Sequence, residues 1–283
     1  MNILSIQSWV SYGHVGNASA VFPMQRLGHE VWAIHTVQFS NHTGYGAWKG
    51  RVYDGPMIEE LVDGIAERGV LGRCDGVLSG YMGSADIGTA ILGAVSRVRS
   101  LNPKAHYCCD PVIGDVGRGI FVRPGIPEFM RDQAVPAADI ITPNQFELEY
   151  LAGRTITTIA DAVAAVDAIR ARGPRIVMVT SLVTEDTPAD AIDLLACGPN
   201  GRFRVRTPRL AVSVNGAGDA IAALFFVHAA ASGDEAFALS RAASSVFGLL
   251  RRTGEAGSRE ILTVAAQDEF VTPSRLFTTE PIA

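Results

Sequence analysis

The sequence lacks three features that would each assign it to a particular class of protein. Only 4 of its 283 residues are cysteine, and none forms a Cys-x-x-Cys pair, which argues against a zinc site and a disulfide-linked secreted domain. Basic residues are in deficit, since 24 Lys and Arg face 29 Asp and Glu, for a net charge of −5. That balance argues against nucleic acid or an anionic membrane as a partner. A phosphate ligand stays compatible, because a few backbone N–H groups can bind it locally.

Hydrophobic runs are also short. The longest, residues 220–231, is interrupted by His228 and falls well below the roughly 20 residues that span a bilayer. The first ten residues, MNILSIQSWV, carry no basic region of the kind found in a signal peptide. We therefore expect a reduced, cytoplasmic protein whose thiols serve as small apolar side chains. No repeat, low-complexity tract or linker is visible, so a single domain over residues 1–283 is expected.

What the sequence does contain is a regular alternation of short apolar runs and longer amphipathic segments. Strands are predicted at residues 2–7, 31–37, 76–78, 105–109, 140–142 and 175–179. Helices are predicted between most of them, at residues 17–27, 57–68, 85–100 and 159–172. This alternation is typical of an α/β protein: a three-layer α/β/α sandwich in which helices cover both faces of a mainly parallel sheet.

The alternation changes in the last third of the chain. Two apolar runs, residues 191–196 and 202–206, flank the turn-rich CGPNG and predict a hairpin at the edge of the sheet. After Gly216 the chain is predicted to be helical to about residue 251, followed by a polar tail.

Polar, glycine-containing stretches follow five successive predicted strands. They read QSWVSYGHVGN, QFSNHTGYG, SGYMGS, DPVIGD and TPNQFELE. Because ligands bind beyond the carboxyl ends of parallel strands, their concentration at one edge predicts a binding site.

Taken singly, these residues also have structural interpretations. Ser8, Tyr12 and His14 could shape the turn before the helix at Asn17, and Asp110 before Pro111 could open a turn. Asn144 and Glu147 suit a helix N-terminus. His42 and Tyr45 could be ordinary loop residues.

The stretch SVNGAGDAIAALFF is harder to explain structurally. Gly216, Ala217 and Gly218 permit close approach of the backbone, and the helix behind them presents unpaired N–H groups and a positive dipole end. Such a loop can bind an anion. Asp219 would repel that anion unless it has a chemical role, and a carboxylate there could take the proton from an attacking hydroxyl in phosphoryl transfer. The four-residue pattern alone is common by chance; its place before a long apolar helix gives it weight.

Together these stretches resemble the bacterial pyridoxal kinases of the ribokinase-like superfamily. The matching segments, QSWVSYGHVGN, VQFSNHTGYG, LSGYMGS, DPVIGD, TPNQFELE and NGAGD, run in the family's order from about residue 2 to residue 250. The first two distinguish pyridoxal kinases from sugar kinases, which share mainly the last. The resemblance implies ATP-dependent phosphorylation of the 5′-hydroxymethyl group of pyridoxal, with ATP and Mg²⁺ required, a monovalent cation left open, and a homodimer.

The resemblance also implies roles for individual residues. Asp219 would be the base beside the anion-binding loop and would contact the substrate. The pyridoxal pocket would be formed by Ser8, which would bond the pyridine ring, together with Val10, His42, Thr43, Gly44 and Tyr81. The acidic pair Asp110 and Glu147 would organise magnesium and the phosphate oxygens, largely through water. The other nucleotide contacts would come from Thr142, Asn144, Thr180, Ser181, Thr207, Pro208, Arg209 and Leu210.

The chain departs from the family at two positions. Ala217 stands where the family usually has Thr or Val, which removes a hydroxyl that some members offer to the phosphates. Ile120 stands where some relatives have a lid cysteine, so the resemblance does not support covalent capture of the substrate aldehyde. Two rivals stay open: a kinase for hydroxymethylpyrimidine or a sugar, and a non-catalytic vitamin B6-binding protein. The sequence does not rank pyridoxal, pyridoxine and pyridoxamine.

Overall fold

A computed structural model describes residues 1–282 of the chain. Its strands are β1 (Asn2–Val10), β2 (Glu30–Phe39), β3 (Gly50–Val52), β4 (Gly76–Ser79), β5 (His106–Cys109), β6 (Gly114–Asp115), β7 (Gly119–Ile120), β8 (Ile140–Ile141), β9 (Ile176–Leu182), β10 (Ala191–Gly198), β11 (Gly201–Pro208) and β12 (Glu280–Pro281). All strands predicted from the sequence are present. The short strands β3, β6, β7 and β12 were not predicted, because two or three residues give no readable period.

Ten strands form one sheet in the order β12–β11–β10–β9–β8–β5–β4–β1–β2–β3. The neighbours from β9 to β2 are parallel, with Ile3 of β1 opposite both Val31 of β2 and Gly76 of β4. The β10–β11 hairpin is antiparallel, as predicted, but β12 pairs outside it through Phe203 and Pro281. The predicted mainly parallel sheet with a hairpin near its edge is therefore confirmed.

Helices cover both faces of the sheet. They are α1 (Asn17–Arg26), α2 (Gly55–Glu67), α3 (Ala85–Leu101), α4 (Ile126–Phe129), α5 (Val135–Ala137), α6 (Gln145–Ala152), α7 (Ile159–Arg170), α8 (Ala217–Ser232), α9 (Glu235–Glu255) and α10 (Asp268–Val271). Along β1, Leu4 and Ile6 belong to the apolar core on the side of α2, α3, α6 and α7, whereas Ile3 belongs to the core under α1, α8 and α9. Alternate residues of one strand thus fill two cores, which gives the three-layer sandwich.

The stretch predicted to be helical from Gly216 to about residue 251 is helical, but it forms two helices separated by a short turn. Helix α8 ends at Gly233, which adopts a left-handed conformation (φ 67°), and the Asp234 side chain accepts a hydrogen bond from the N–H of Phe237 (3.0 Å) to begin α9. A glycine that stops a helix followed by an aspartate that starts the next allows the chain to reverse direction. None of the helices within residues 1–282 combines the length and the apolar character needed to cross a bilayer.

The order of the strands opens a crevice at the centre of the sheet. Strands β1 and β4 are neighbours, yet the chain leaves β1 toward α1 on one face and leaves β4 toward α3 on the other. The loops at their carboxyl ends therefore separate, and the gap between them is where open α/β sheets bind ligands.

Candidate active site

The loop before α8 has the geometry of an anion-binding site. Gly216 caps the helix with φ 93°, and its carbonyl accepts a hydrogen bond from Ser19 Oγ (2.7 Å). A Cβ at Gly216 would overlap the carbonyl oxygen of His14, so the protein's own packing requires glycine. A Cβ at Gly218, in contrast, would meet no atom within 4 Å. The space beside Gly218 is therefore open, and the first N–H groups of α8 face it without helical partners.

Asp219 lies in the first turn of α8, half-buried beside this open space. Burial raises its pKa to about 6, although the backbone N–H groups of Gly16 and of Asp219 itself act in the opposite direction. A carboxyl group with this pKa is mostly ionised at neutral pH, yet it is more basic than an ordinary aspartate. Those are the properties of a carboxylate that accepts a proton during a reaction.

Two further carboxyl groups stand at the ends of neighbouring strands. Asp110 follows β5, is only 7% exposed, and accepts a hydrogen bond from Thr142 Oγ1 (2.9 Å), which follows β8. Burial raises the pKa of Asp110 well above its usual range, and the negative charges of Glu147 and Asp219 add to that shift. Asp110 therefore feels the negative charge of both other acidic residues singled out in the sequence, and a cation bound beside it would be stabilised.

Glu147 is already bonded to the backbone on both of its carboxylate oxygens. Oε1 accepts from the N–H of Ile113 (2.9 Å), and Oε2 accepts from the N–H of Asn144 (2.9 Å). The Asn144 side chain in turn accepts from the N–H of Glu147, which completes a capping box at the start of α6, and donates to the carbonyl of Gly114 (2.8 Å). Burial nevertheless raises the pKa of Glu147 to about 7. Its contacts fix the base of the β6–β7 hairpin and leave few free lone pairs for a direct metal contact.

The predicted pyridoxal pocket lies at the carboxyl ends of β1 and β4. Ser8 and Val10 belong to β1 itself rather than to the following loop, because the strand is three residues longer than predicted. Ser8 is 6% exposed, and a Cβ at Gly16 would overlap its hydroxyl, so that glycine makes room for it. Val10 packs with Val37 and Phe39, and Tyr81 covers this small apolar cluster.

The loop after β2 reaches the anion-binding loop. Thr43 begins a 3₁₀ turn that ends at Tyr45, and His42 lies directly before it. His42 Nδ1 is 3.3 Å from the side-chain nitrogen of Asn215, the residue before Gly216, and a Cβ at Gly44 would stand 2.9 Å from His42 Nδ1. The structure therefore brings the predicted pocket residues of the β2 loop next to the loop that begins α8.

The predicted nucleotide contacts lie at the same edge of the sheet but farther along it. Thr180 and Ser181 are in β9, and Ser181 is the one non-glycine residue within residues 1–282 with a positive φ (52°). Thr207 and Pro208 are the last residues of β11 rather than part of a loop; Arg209 and Leu210 follow the strand. Because β11 lies two antiparallel steps from β9, its end returns to the carboxyl edge of the parallel strands.

Two cavities lie near the sheet, one beside the loop after β2 and one at the amino ends of the parallel strands. One, of about 470 Å³, lies beside the β2 loop and is lined by Tyr12, Ser40, Asn41, Tyr45 and Ala47. The other, of about 190 Å³, lies at the amino ends of β5, β8 and β9. Its acidic residues are occupied: Asp139 pairs with Arg99 (2.7 Å) and Glu235 accepts from Asn200 (2.7 Å). The larger cavity is lined by none of the predicted pocket residues, but it lies beside the loop that carries His42, Thr43 and Gly44.

The chain is similar to proteins of known activity. The sequence model of the phosphomethylpyrimidine kinase family matches residues 59–263. The pyridoxal kinase PdxY of Granulibacter bethesdensis is 66% identical over 98% of both chains, and that of Deinococcus radiodurans is 58% identical over 99% of this chain and 96% of its own. This chain belongs to the pyridoxal kinase family.

The pyridoxal kinase of Leishmania donovani in complex with ADP and pyridoxine superposes with a TM-score of 0.92 at 30% identity, covering 100% of this chain and 99% of that one. The predicted family and ribokinase-like fold are confirmed.

The sequence analysis did not single out one residue that contacts the predicted site residues. Glu260, far from every motif, accepts a hydrogen bond from Tyr45 Oη (2.6 Å) and faces His42 Nε2 (3.1 Å). Neither a periodicity nor a glycine pattern distinguishes Glu260 in the sequence. Its one local feature is a carboxylate followed by the apolar residue Ile261. That hydrogen bond is the main cause that raises the pKa of Tyr45 to about 12, so its phenol keeps its proton.

Proposed function

We propose that this chain transfers the γ-phosphoryl group of ATP to the 5′-hydroxymethyl group of pyridoxal. The observation that carries the proposal is the position of Asp219 in the first turn of α8, where its carboxylate bonds the backbone of Gly16, the glycine that makes room for the Ser8 hydroxyl. A base, a phosphate site and a pocket for an aromatic ring are the three parts that such a transfer needs. The curated relatives named pyridoxal kinase and the related structure solved with ADP and pyridoxine support it.

In the proposed reaction, Asp219 accepts the proton of the 5′-hydroxyl group as its oxygen attacks the γ-phosphorus. The new O–P bond forms while the bond between the γ-phosphorus and the β–γ bridging oxygen breaks, and ADP leaves with the electron pair. The backbone N–H groups of Gly216, Ala217 and Gly218 would stabilise the charge that develops on the transferring group. Ala217 offers no hydroxyl, so this stabilisation is assigned to the backbone.

We propose that Asp110 holds Mg²⁺ and that Glu147 contributes only through water, since its oxygens already accept backbone N–H bonds. Mg²⁺ prefers oxygen ligands and often uses one or two carboxylates plus waters and substrate phosphates, which this arrangement offers. When bound, Mg²⁺ would neutralise charge on the phosphate oxygens. Thr142, Asn144, Thr180 and Ser181 are proposed nucleotide contacts together with residues 207–210.

The proposal also covers the domain organisation, the oligomeric state and the location of the protein. We propose that residues 1–283 act as a single kinase domain, which is consistent with a sheet that takes strands from both ends of the chain. We propose a homodimer on the precedent of the family. We also keep the predicted cytoplasmic location.

A panel of substrates tests the proposed function. ADP release is measured with pyridoxal, pyridoxine, pyridoxamine and hydroxymethylpyrimidine, at several concentrations of each. We expect kcat/KM for pyridoxal to exceed that for hydroxymethylpyrimidine at least tenfold, about 1.4 kcal/mol of discrimination, because the β1 and β2 loops form the ring pocket. If kcat/KM is equal for the two substrates, or higher for hydroxymethylpyrimidine, the result would favour a hydroxymethylpyrimidine kinase. The family model that matches this chain is that of phosphomethylpyrimidine kinases. Binding of pyridoxal without ADP release would favour a non-catalytic vitamin B6-binding protein.

Ser8→Ala tests the ring contact. If the Ser8 hydroxyl bonds the pyridine ring, its removal weakens binding by about 0.5–1.5 kcal/mol, the net value of a neutral hydrogen bond. KM for pyridoxal should rise accordingly while KM for ATP is unchanged, as steady-state kinetics can measure. Unchanged pyridoxal kinetics would return Ser8 to a structural role in β1.

A further inference from the structure

Glu260 comes from a segment that none of the sequence motifs covers. It follows α9 and is only 8% exposed. The backbone around it is held locally, because Ser258 Oγ donates to the carbonyl of Glu260 (2.6 Å) and accepts from its N–H (3.2 Å). No lysine or arginine among residues 1–282 pairs with this buried carboxylate. Other hydrogen-bond donors must therefore offset the cost of burying it.

Donors from two separate loops converge on this carboxylate. Oε1 accepts from Tyr45 Oη (2.6 Å) and lies 3.1 Å from His42 Nε2, and Oε2 accepts from the backbone N–H of His14 (3.3 Å). A Cβ at Gly13 would overlap the carboxylate, so the loop after β1 is shaped to fit it. Glu260 therefore joins the loop after β1 to the loop after β2, the two loops that carry most of the predicted pyridoxal pocket.

The contacts of His42 determine where its ring proton lies. The side-chain nitrogen of Asn215 is 3.3 Å from Nδ1, and an amide nitrogen can only donate, so Nδ1 is the acceptor. The neutral ring then carries its proton on Nε2 and donates it to Glu260. A continuous chain of hydrogen bonds thus runs from Asn215, which precedes the anion-binding loop, through His42 to Glu260.

The ring of Tyr45 is held as well as its hydroxyl group. It lies 4.6 Å from the ring of His42, centroid to centroid, and the guanidinium of Arg259 lies 4.8 Å from its centroid on another side. Two adjacent residues, Arg259 and Glu260, therefore fix the orientation of one tyrosine beside the 470 Å³ cavity.

We propose that Glu260 is a positioning residue for the pyridoxal pocket: its carboxylate sets the orientations of His42 and Tyr45 and ties both to the loop that begins α8. This inference rests on the proposed function. A neutral amide cannot replace the carboxylate, because it has one acceptor oxygen where Glu260 uses two. None of the predicted nucleotide contacts touches Glu260 directly, whereas two loops of the predicted vitamin pocket do, so the main effect is expected on the vitamin substrate.

The test is Glu260→Gln, which keeps the shape and removes one acceptor. We expect KM for pyridoxal to rise about tenfold, the effect of losing hydrogen bonds to a charged group, while KM for ATP stays the same. The change in kcat should stay below about threefold, since Glu260 does not touch the reacting atoms. Wild-type turnover of pyridoxal is measured first: its absence would overturn the proposed function and this inference together.

Glu269→Gln is the matched control. Glu269 is a buried glutamate of the same part of the chain (4% exposed) that accepts from the N–H of Ser274 (2.7 Å), far in sequence from the pocket loops. If Glu260 has only a structural role, Glu260→Gln and Glu269→Gln should both lower Tm. Neither should then change the ratio of KM for pyridoxal to KM for ATP. A Glu260→Gln enzyme with wild-type KM for pyridoxal would overturn the inference while leaving the proposed function intact.

Tyr45→Phe provides a second variant that leaves Glu260 in place. We expect a rise in KM for pyridoxal of about threefold, and a less than additive rise when this change is added to Glu260→Gln, because both changes act on the hydrogen bonds of one carboxylate. Should Glu260→Gln fail to fold, Tyr45→Phe alone decides: a wild-type KM for pyridoxal would overturn the proposed link. Fully additive effects of the two changes would do the same.

Discussion

Asp219→Asn is expected to lower kcat by about 10²–10⁴, the usual contribution of a positioned general base. Asparagine keeps the shape of the side chain in the first turn of α8 but cannot accept a proton from the 5′-hydroxyl group. Binding of ATP should persist or become tighter, because a negative charge beside the phosphates is gone. Single-turnover phosphorylation of pyridoxal, together with nucleotide binding measured by calorimetry, separates the two effects.

The pH dependence provides a second measurement of the same group. Burial raises the pKa of Asp219 to about 6, so the base becomes protonated as the pH falls through that value, and kcat/KM of the wild type should fall with it. The residual activity of Asp219→Asn should lack that limb of the profile.

Stability should change in the opposite direction to activity. A carboxyl group whose pKa is raised on folding binds its proton more tightly in the folded state, so its ionisation lowers the free energy of unfolding as the pH rises above the unfolded value. Asparagine removes that ionisation. At neutral pH the variant should therefore be at least as stable as the wild type, and lost activity cannot be ascribed to lost fold. A near-normal kcat would instead show that Asp219 only caps α8.

The grouping of the acidic residues could be predicted from the sequence for a physical reason. Asp110 and Thr142 follow strands that are neighbours in the sheet, and parallel strands end at one edge, so strand prediction places both residues at that edge; their 2.9 Å hydrogen bond is visible only in the structure. The same rule places Asp219 there once α8 is known to begin at that edge. The shared location of these carboxyl groups could thus be predicted, whereas their effect on the pKa of Asp110 depends on distances and burial that the sequence does not contain.

Other features depend on contacts that no local pattern encodes. Glu260 reaches Tyr45 across 215 positions of the chain, and it does so from the segment after α9, a helix that packs against α8. The break at Gly233 did have a local signal, glycine followed by aspartate, but the sequence analysis predicted the whole stretch as helical without placing a break in it. Ser8 was placed in a loop because its polar neighbours concealed that β1 continues to Val10.

Gly216→Ala should have the second large effect, and it acts through the backbone. The new methyl group would overlap the carbonyl oxygen of His14, and alanine is strained at φ 93°. We expect a loss of at least about 2 kcal/mol in the free energy of unfolding, measured by denaturant titration. The displaced loop should also lower kcat/KM by about 10²-fold, since a shift of about 1 Å in a positioning group can have that effect.

Gly218→Ala is the control that separates fold from phosphate binding. Its Cβ meets no atom within 4 Å, and alanine is favoured over glycine within a helix, so stability should be unchanged or higher by about 0.5–1 kcal/mol. If the phosphates occupy the open space beside Gly218, the same methyl group obstructs them, and KM for ATP should rise while Tm does not fall. Wild-type kinetics in both variants would contradict the assignment, because neither glycine would then be needed for close approach of the nucleotide. A loss of stability in Gly216→Ala with normal kinetics would make Gly216 a helix cap and leave the phosphates to other groups.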